Sequence, residues 1–216
     1  MFPNTLLPDA QKTLALLGKQ NFLKKAYLAG GSALALQLGH RRSIDFDFFT
    51  SEEFETSYIR KELKKIGTYE TEFETPKTMV GVFNKVKFSY FYYPYNLIRK
   101  TTDFLGINLA SIEDIAAMKL VTITDRGTKK DFVDLYFLAK ECFSLENMFE
   151  FYFEFYDEKY HLLSSNLLTL LKALSYFDDA EKSEMPEMLK KTSWEEVKNF
   201  FKKEVVKVAK KWLFDL

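Results

Sequence analysis

Two aspartates stand two residues apart in the segment Arg41-Arg42-Ser43-Ile44-Asp45-Phe46-Asp47-Phe48-Phe49. Its polar–apolar alternation predicts a strand over 44–49. Alternate residues of a strand share a face, so Ser43, Asp45 and Asp47 are expected to point one way. Ile44, Phe46 and Phe48 are expected to point the other way, into a core. Two carboxylates so placed are about 7 Å apart along the backbone, and their oxygens can converge on one or two hard cations. Mg²⁺ takes oxygen ligands and shares its shell with substrate phosphates. A pair of such ions clamps the attacking and leaving oxygens of a phosphoryl or nucleotidyl transfer. An isolated Asp-x-Asp is more often the solvated face of an edge strand, so its surroundings decide.

Upstream runs Leu28-Ala29-Gly30-Gly31-Ser32-Ala33-Leu34. This reads as a short strand over 26–29, two glycines, a serine and a helix over 33–38. Glycine lets backbone approach a ligand closely, and a helix start offers unpaired N–H groups to phosphate oxygens. A tight turn with a serine cap is the plainer account. The segment is neither a Walker loop, since no Lys follows the glycines, nor a G-x-G-x-x-G fingerprint. Twelve residues separate Ser32 from Asp45, enough for a short helix and a returning strand that bring the two together. His40-Arg41-Arg42 just before the acidic strand suits phosphate or RNA contact, or a solvated loop of counter-charges.

Three further charged residues stand out. Lys119 is a lone cation among Ile115, Ala116, Met118, Leu120 and Val121. It is either a site residue or a snorkelling lysine. Asp131 follows two lysines at a helix start, where capping accounts for it. Asp134 lies among Phe132, Val133, Leu135 and Tyr136. A carboxylate so surrounded needs a partner, for which Arg126, Lys130 and Lys119 are in range.

The elements that position these residues change character along the chain. After helices over 8–18 and 52–66, strands are expected over 68–73, 78–83 and 86–93, the last two joined through Asn84-Lys85. From Ser111, a helix N-cap with an acid three residues on, nearly everything reads as helix: 111–125, 129–142, 145–159, 162–175 and 193–213. The strands and helices of the first half do not alternate regularly. The expected class is therefore α+β, a mixed sheet with flanking helices followed by a C-terminal helical bundle. The boundary falls near residue 110, giving an α/β core over 1–110 and a helical region over 111–216.

With 31 basic and 31 acidic residues in 216, the chain is no wholesale polycation, although a local basic patch can still hold RNA. The single cysteine, Cys142, excludes an internal disulfide and a cysteine zinc site, and is expected to fill a small core position. Twenty-two Phe and twelve Tyr predict a core rich in rings. Phe, Tyr and Glu residues over 148–160 suit packing with one acidic solvated face. Trp194, Val197, Phe201, Val205, Val208 and Trp212 form an apolar stripe on the last helix, with lysines elsewhere on it. His161 has no metal-type neighbours and reads as structural. No run approaches a membrane span and no signal peptide is evident, so a soluble, cytoplasmic protein without membrane contact is expected.

The run from Gly30-Gly31-Ser32 to Ser43-Ile44-Asp45-Phe46-Asp47 resembles the nucleotidyltransferase superfamily of the DNA polymerase beta type. More narrowly, it resembles the AbiEii/AbiGii toxin family of abortive-infection and toxin–antitoxin systems. The resemblance is strong over 27–50 and returns at Lys119 and over 129–136. It implies a nucleotidyltransferase-like fold whose helical region completes the active-site cleft. Gly30, Gly31 and Ser32 would hold a triphosphate, with Arg42 and Ser43 beside it. Asp45 and Asp47 would ligate Mg²⁺ or Mn²⁺, and Lys119 would meet nucleotide phosphates. Asp131 and Asp134 would line the site from the helical side. The implied reaction moves NMP from an NTP to a hydroxyl of RNA, such as a tRNA 3′ end, or of a protein. A cognate antitoxin is the implied partner.

One departure is visible. Many superfamily members carry a third metal-binding carboxylate on a later strand, whereas the run 85–92 has no acid. A non-catalytic nucleotide- or RNA-binding module that kept the fold is the alternative this leaves open.

Overall fold

The computed structural model describes residues 1–160 and 163–214. His161, singled out above, lies outside the described residues. The chain divides into two compact units, Met1–Ser111 and Ile112–Leu216.

The first unit is built on a mixed seven-stranded sheet. Its strands are β1 (Tyr27–Ala29), β2 (Asp45–Thr50), β3 (Tyr69–Thr75), β4 (Thr78–Phe83), β5 (Val86–Tyr92), β6 (Thr102–Phe104) and β7 (Ile107–Leu109), in the order β3-β4-β5-β2-β1-β7-β6. β3, β4 and β5 form an antiparallel meander. The chain then closes on itself, because β2 runs parallel to β5 and antiparallel to β1, which runs parallel to β7. The β4–β5 turn is the expected Asn84-Lys85, both residues at positive φ as a two-residue hairpin loop requires. The β6–β7 hairpin was not anticipated. Its strands have three residues each, and its turn places Leu105 at φ 56° before Gly106, where the usual turn signal is Asn or Asp.

Three helices flank this sheet: α1 (Pro8–Leu17), α2 (Gly30–Leu38) and α3 (Thr56–Ile66). α1 starts on a proline, whose missing N–H costs nothing at that position. α3 turns Ile59 and Leu63 to β3 and β4 and its lysines outward. It begins four residues later than its periodicity implies. The core is ring-rich as expected, with Phe46, Phe48, Phe83 and Phe88 fully buried. Phe48 and Phe88 pack at 5.5 Å, and Tyr69 meets Phe88 edge-on at 6.2 Å.

The helices among the described residues of the second unit are α4 (Ile112–Arg126), α5 (Lys129–Glu141), α6 (Leu145–Tyr160), α7 (Leu163–Ala173), the short α8 (Asp178–Glu181) and α9 (Trp194–Phe214). α4 is the hub, touching α5, α6 and α7, while α9 packs on α5 and α6. Phe132 centres the second core, with Phe177, Phe201 and Trp194 at 5.1, 5.3 and 5.7 Å. The middle of the α9 stripe is core as expected, with Val197, Phe201, Val205 and Val208 buried, whereas Trp194 and Trp212 at its ends are half-buried. Cys142 is a correction. It follows α5 as its C-cap and is half-buried, not a core residue. Among the described residues no helix is long and apolar enough to cross a membrane.

Candidate active site

The carboxylate strand is β2. Its burial alternates as predicted from Asp45 onward: Asp45, Asp47 and Phe49 are half-buried, while Phe46, Phe48 and Thr50 are closed into the core. Ile44 departs from the expected pattern. It is exposed, because the strand begins only at Asp45 and the residues before it carry no strand alternation. Ser43 nevertheless sits with the site, buried against the start of α2.

Register places the neighbours. Across β1, Ala29 lies opposite Asp47, so the chain turns into Gly30 directly beside that carboxylate. Gly30 has φ +65°, and a Cβ there would come within 3.0 Å of Asp47 Oδ2. A side chain at Gly31 would run into the Arg41 guanidinium and lie 3.3 Å from Ser43 Oγ. Both glycines are therefore required by close approach, and Gly30 also by its backbone conformation. They are not a loop before the helix, as the sequence suggested, but its first turn. α2 starts at Gly30 with Ala29 as N-cap, and no side chain caps it. The orphan N–H groups of that turn therefore have no side-chain cap, and the turn lies at Asp47, Arg41 and Ser43.

Ser32 is nearly inaccessible, at 1% exposure. Its hydroxyl shares a hydrogen bond of 2.9 Å with Ser43 Oγ and donates to the backbone carbonyl of Asp45. It ties the first turn of α2 to the start of the carboxylate strand. The same cluster contains Arg41, buried at 3% exposure, with Nη1 donating to the Arg42 carbonyl at 2.9 Å. The sequence singled out Arg42, whose guanidinium donates to the Asn4 carbonyl at 3.1 Å. Arg41 is the guanidinium at the glycine turn. Its signal was the small residue it must pack against, and only the fold shows that contact. The loop is not fully solvated, since His40 and Arg41 are both buried.

On the other side of β2, the parallel strand β5 sets Lys87 beside Asp45, Ser89 beside Asp47 and Phe91 beside Phe49, all on one face. Ser89 thus occupies the position adjoining Asp47 where a third carboxylate on a neighbouring strand would stand. Among the described residues no group of three or more His, Cys, Asp or Glu is arranged to hold a metal. The donor set is two strand carboxylates. Their oxygens suit a hard divalent cation that draws its remaining ligands from water and phosphate.

The helical unit holds a second charged cluster. Lys119 of α4 is buried, with Nζ 2.8 Å from Asp131 Oδ1 and 2.7 Å from Asp134 Oδ2 on α5. Of the partners considered for Asp134, Lys119 pairs with it. Asp131 also closes a capping box with Thr128, accepting from the Thr128 backbone N–H at 3.2 Å and from its hydroxyl. Burial pushes the Asp131 carboxyl upward. The Lys119 charge and hydrogen bond, with the Thr128 hydroxyl, outweigh it and hold the group below the usual carboxylate range.

Comparison with known proteins gives the same reading. Two overlapping segments, 13–103 and 91–215, match the family of the AbiEii nucleotidyl transferase toxin of type IV toxin–antitoxin systems. An uncharacterized protein of Aquifex aeolicus (strain VF5) is 38% identical over 188 residues, covering 83% of this chain and 85% of its own. Among solved structures, JHP933 from Helicobacter pylori superposes with a TM-score of 0.58 at 19% identity, over 95% of this chain and 94% of that one. A second H. pylori chain, provisionally assigned as a nucleotidyltransferase, gives 0.53 at 17% identity over 94% of each. At such identities the two structures speak for the fold. The family match spans nearly the whole sequence and includes both aspartates, both glycines and the Lys119 cluster: the chain belongs to the AbiEii family of nucleotidyltransferase toxins.

Proposed function

We propose that this toxin transfers NMP from an NTP to a hydroxyl of RNA, the 3′ end of tRNA being the leading acceptor, with Mg²⁺ or Mn²⁺ as cofactor. The observation that carries the reading is the apposition of Asp47 and the first turn of α2, with Gly30 against the carboxylate. Asp45 and Asp47 are the residues assigned to the divalent cation. When bound, it supplies Lewis-acid polarisation of a phosphoryl oxygen and neutralises charge on the leaving pyrophosphate.

The chain's own groups do the rest. Backbone N–H groups at Gly30, Gly31 and Ser32 receive phosphate oxygens, helped by the positive end of the helix dipole. Arg41 adds a fixed positive charge at the same turn. Ser43 and the Ser32 hydroxyl keep turn and strand in register. Arg42 is assigned to the margin of the phosphate site. Lys119, held by Asp131 and Asp134, is assigned to the nucleotide phosphates, with the two aspartates positioning its ammonium. A cognate antitoxin follows from the family, as does an NTP substrate.

The test is label transfer from each α-labelled NTP, with Mg²⁺ or Mn²⁺, to total bacterial RNA, alongside a protein-only reaction. The expected result is a labelled RNA that disappears with Asp45→Asn. Label on protein instead of RNA would replace the acceptor. Label that persists in Asp45→Asn would remove the carboxylate strand from the chemistry.

A further inference from the structure

The face that carries Asp45 and Asp47 does not end at the carboxylates. Two residues on, about 7 Å along the strand, it continues as Phe49, with Phe91 beside it on β5 and Tyr27 beside it on β1. The rings run on without a break. Phe91 and Phe49 lie 5.2 Å apart between centroids, Phe49 meets Tyr93 edge-on at 5.4 Å, and Tyr93 lies 4.7 Å from Tyr95. Tyr27 stacks against Phe49 at 5.9 Å on the β1 side. Tyr27 is buried, but Phe91, Phe49, Tyr93 and Tyr95 each keep part of their surface in solvent.

The row ends at a cavity of about 270 Å³ whose lining includes Lys24, Tyr27, Ser51, Tyr95, Asn96 and Asn108. Thus one end of the row carries the carboxylate pair and the other a polar recess lined by two lysines, Lys24 and Lys25. Aromatic rings take unstacked bases of either nucleic acid with little regard to sequence, because every base has a flat apolar face. A mononucleotide has one base, whereas this row offers four rings in succession, as a strand requires.

We infer that Phe91, Phe49, Tyr93 and Tyr95 form a stacking platform for unpaired bases of the acceptor strand, aiming its terminal hydroxyl at Asp45 and Asp47. The inference rests on the RNA acceptor proposed above and adds where that strand lies. The rings act as positioning residues, since none touches the reacting atoms.

The test separates the two ideas. Binding of a fluorescein-labelled, single-stranded oligoribonucleotide is measured by anisotropy, against the same strand with abasic sugars at its 3′ end. The expected result is weaker binding of the abasic strand, by roughly 5- to 150-fold for each stacked base lost. Tyr95→Ala and Phe49→Leu should erase that preference, while Tyr95→Phe keeps it. In the transfer assay Tyr95→Ala should raise KM for RNA and leave kcat and KM for NTP unchanged. Equal binding of intact and abasic strands by the wild-type protein would overturn the platform, whether or not RNA is labelled. Base-dependent binding lost in Tyr95→Ala, with no RNA labelled, would keep the platform and overturn the acceptor reaction. Since Tyr95 follows the end of β5, its variants report on the platform even if Phe49→Leu loosens the sheet.

Discussion

Replacing Lys119 by methionine separates packing from charge at the buried cluster. The ammonium side chain is 7% exposed, and its partners Asp131 and Asp134 are 1% and 0% exposed. Methionine fills most of the volume but leaves two carboxylates without their cation inside the helical unit. Breaking a buried pair by removing one partner costs about 3–5 kcal/mol. At about 4 °C per kcal/mol for a unit of this size, the melting temperature should fall by roughly 12–20 °C. The pH dependence fixes the cause. In the wild-type protein Asp131 titrates below its ordinary range, so its contribution is present at neutral pH and is lost as pH falls below about 4. Without Lys119, burial dominates and the carboxyls are pushed up. The variant should then regain stability relative to wild type as pH falls from about 7.5 towards 5 and the carboxyls take up protons. Circular dichroism melts at the two pH values read this directly. A deficit under about 3 °C, less than 1 kcal/mol on the same scale, would refute the reasoning. So would a deficit equal at both pH values.

Asp45→Asn and Asp47→Asn should each lower transfer by roughly 10²- to 10³-fold, with melts close to wild type because both side chains are half-buried on the polar face of β2. A collapsed melt would mean that they hold the fold. Gly18→Ala would drive a Cβ into the Leu105 carbonyl oxygen, a backbone atom that cannot swing aside, and should cost about 1–3 kcal/mol in a urea titration. Phe132→Ala opens a hole between Phe177, Trp194 and Phe201. It should cost about 3–5 kcal/mol and alter Trp194 fluorescence, and an unchanged emission spectrum would contradict the packing.

The carboxylate strand was legible because its candidate chemistry and its period coincide. Asp45, Phe46, Asp47 and Phe48 alternate at the strand repeat, so face and function are read from the same four letters. The helical half was legible for a similar reason, its apolar stripes being long enough to establish a period. Arg41 was not legible, because the preference for it over Arg42 depends on which guanidinium meets Gly31, a contact ten residues removed in sequence. The first turn of α2 was misread as a loop because glycines carry no helical signal of their own. Lys119 posed the opposite problem. A lysine in an apolar run looks alike whether it reaches solvent or a buried carboxylate, and only the packing of α5 on α4 decides. The β6–β7 hairpin escaped because three-residue strands are too short to show alternation.

The sheet order also sets a timetable for the nascent chain. β3, β4 and β5 pair with sequence neighbours and can zip locally. β2 can pair early with β1, its antiparallel partner and neighbour in sequence, but its other partner β5 is made long after it, and β1 meets β7 only when Leu109 has been synthesised. Closing loops of that length precedes any pairing gain, so distant strands join late. The aspartates and the glycine turn beside them leave the ribosome early, but Lys87 and Ser89 join them only after β3 and β4 have followed. The carboxylate face is therefore completed only when the local meander docks on a strand made well before it.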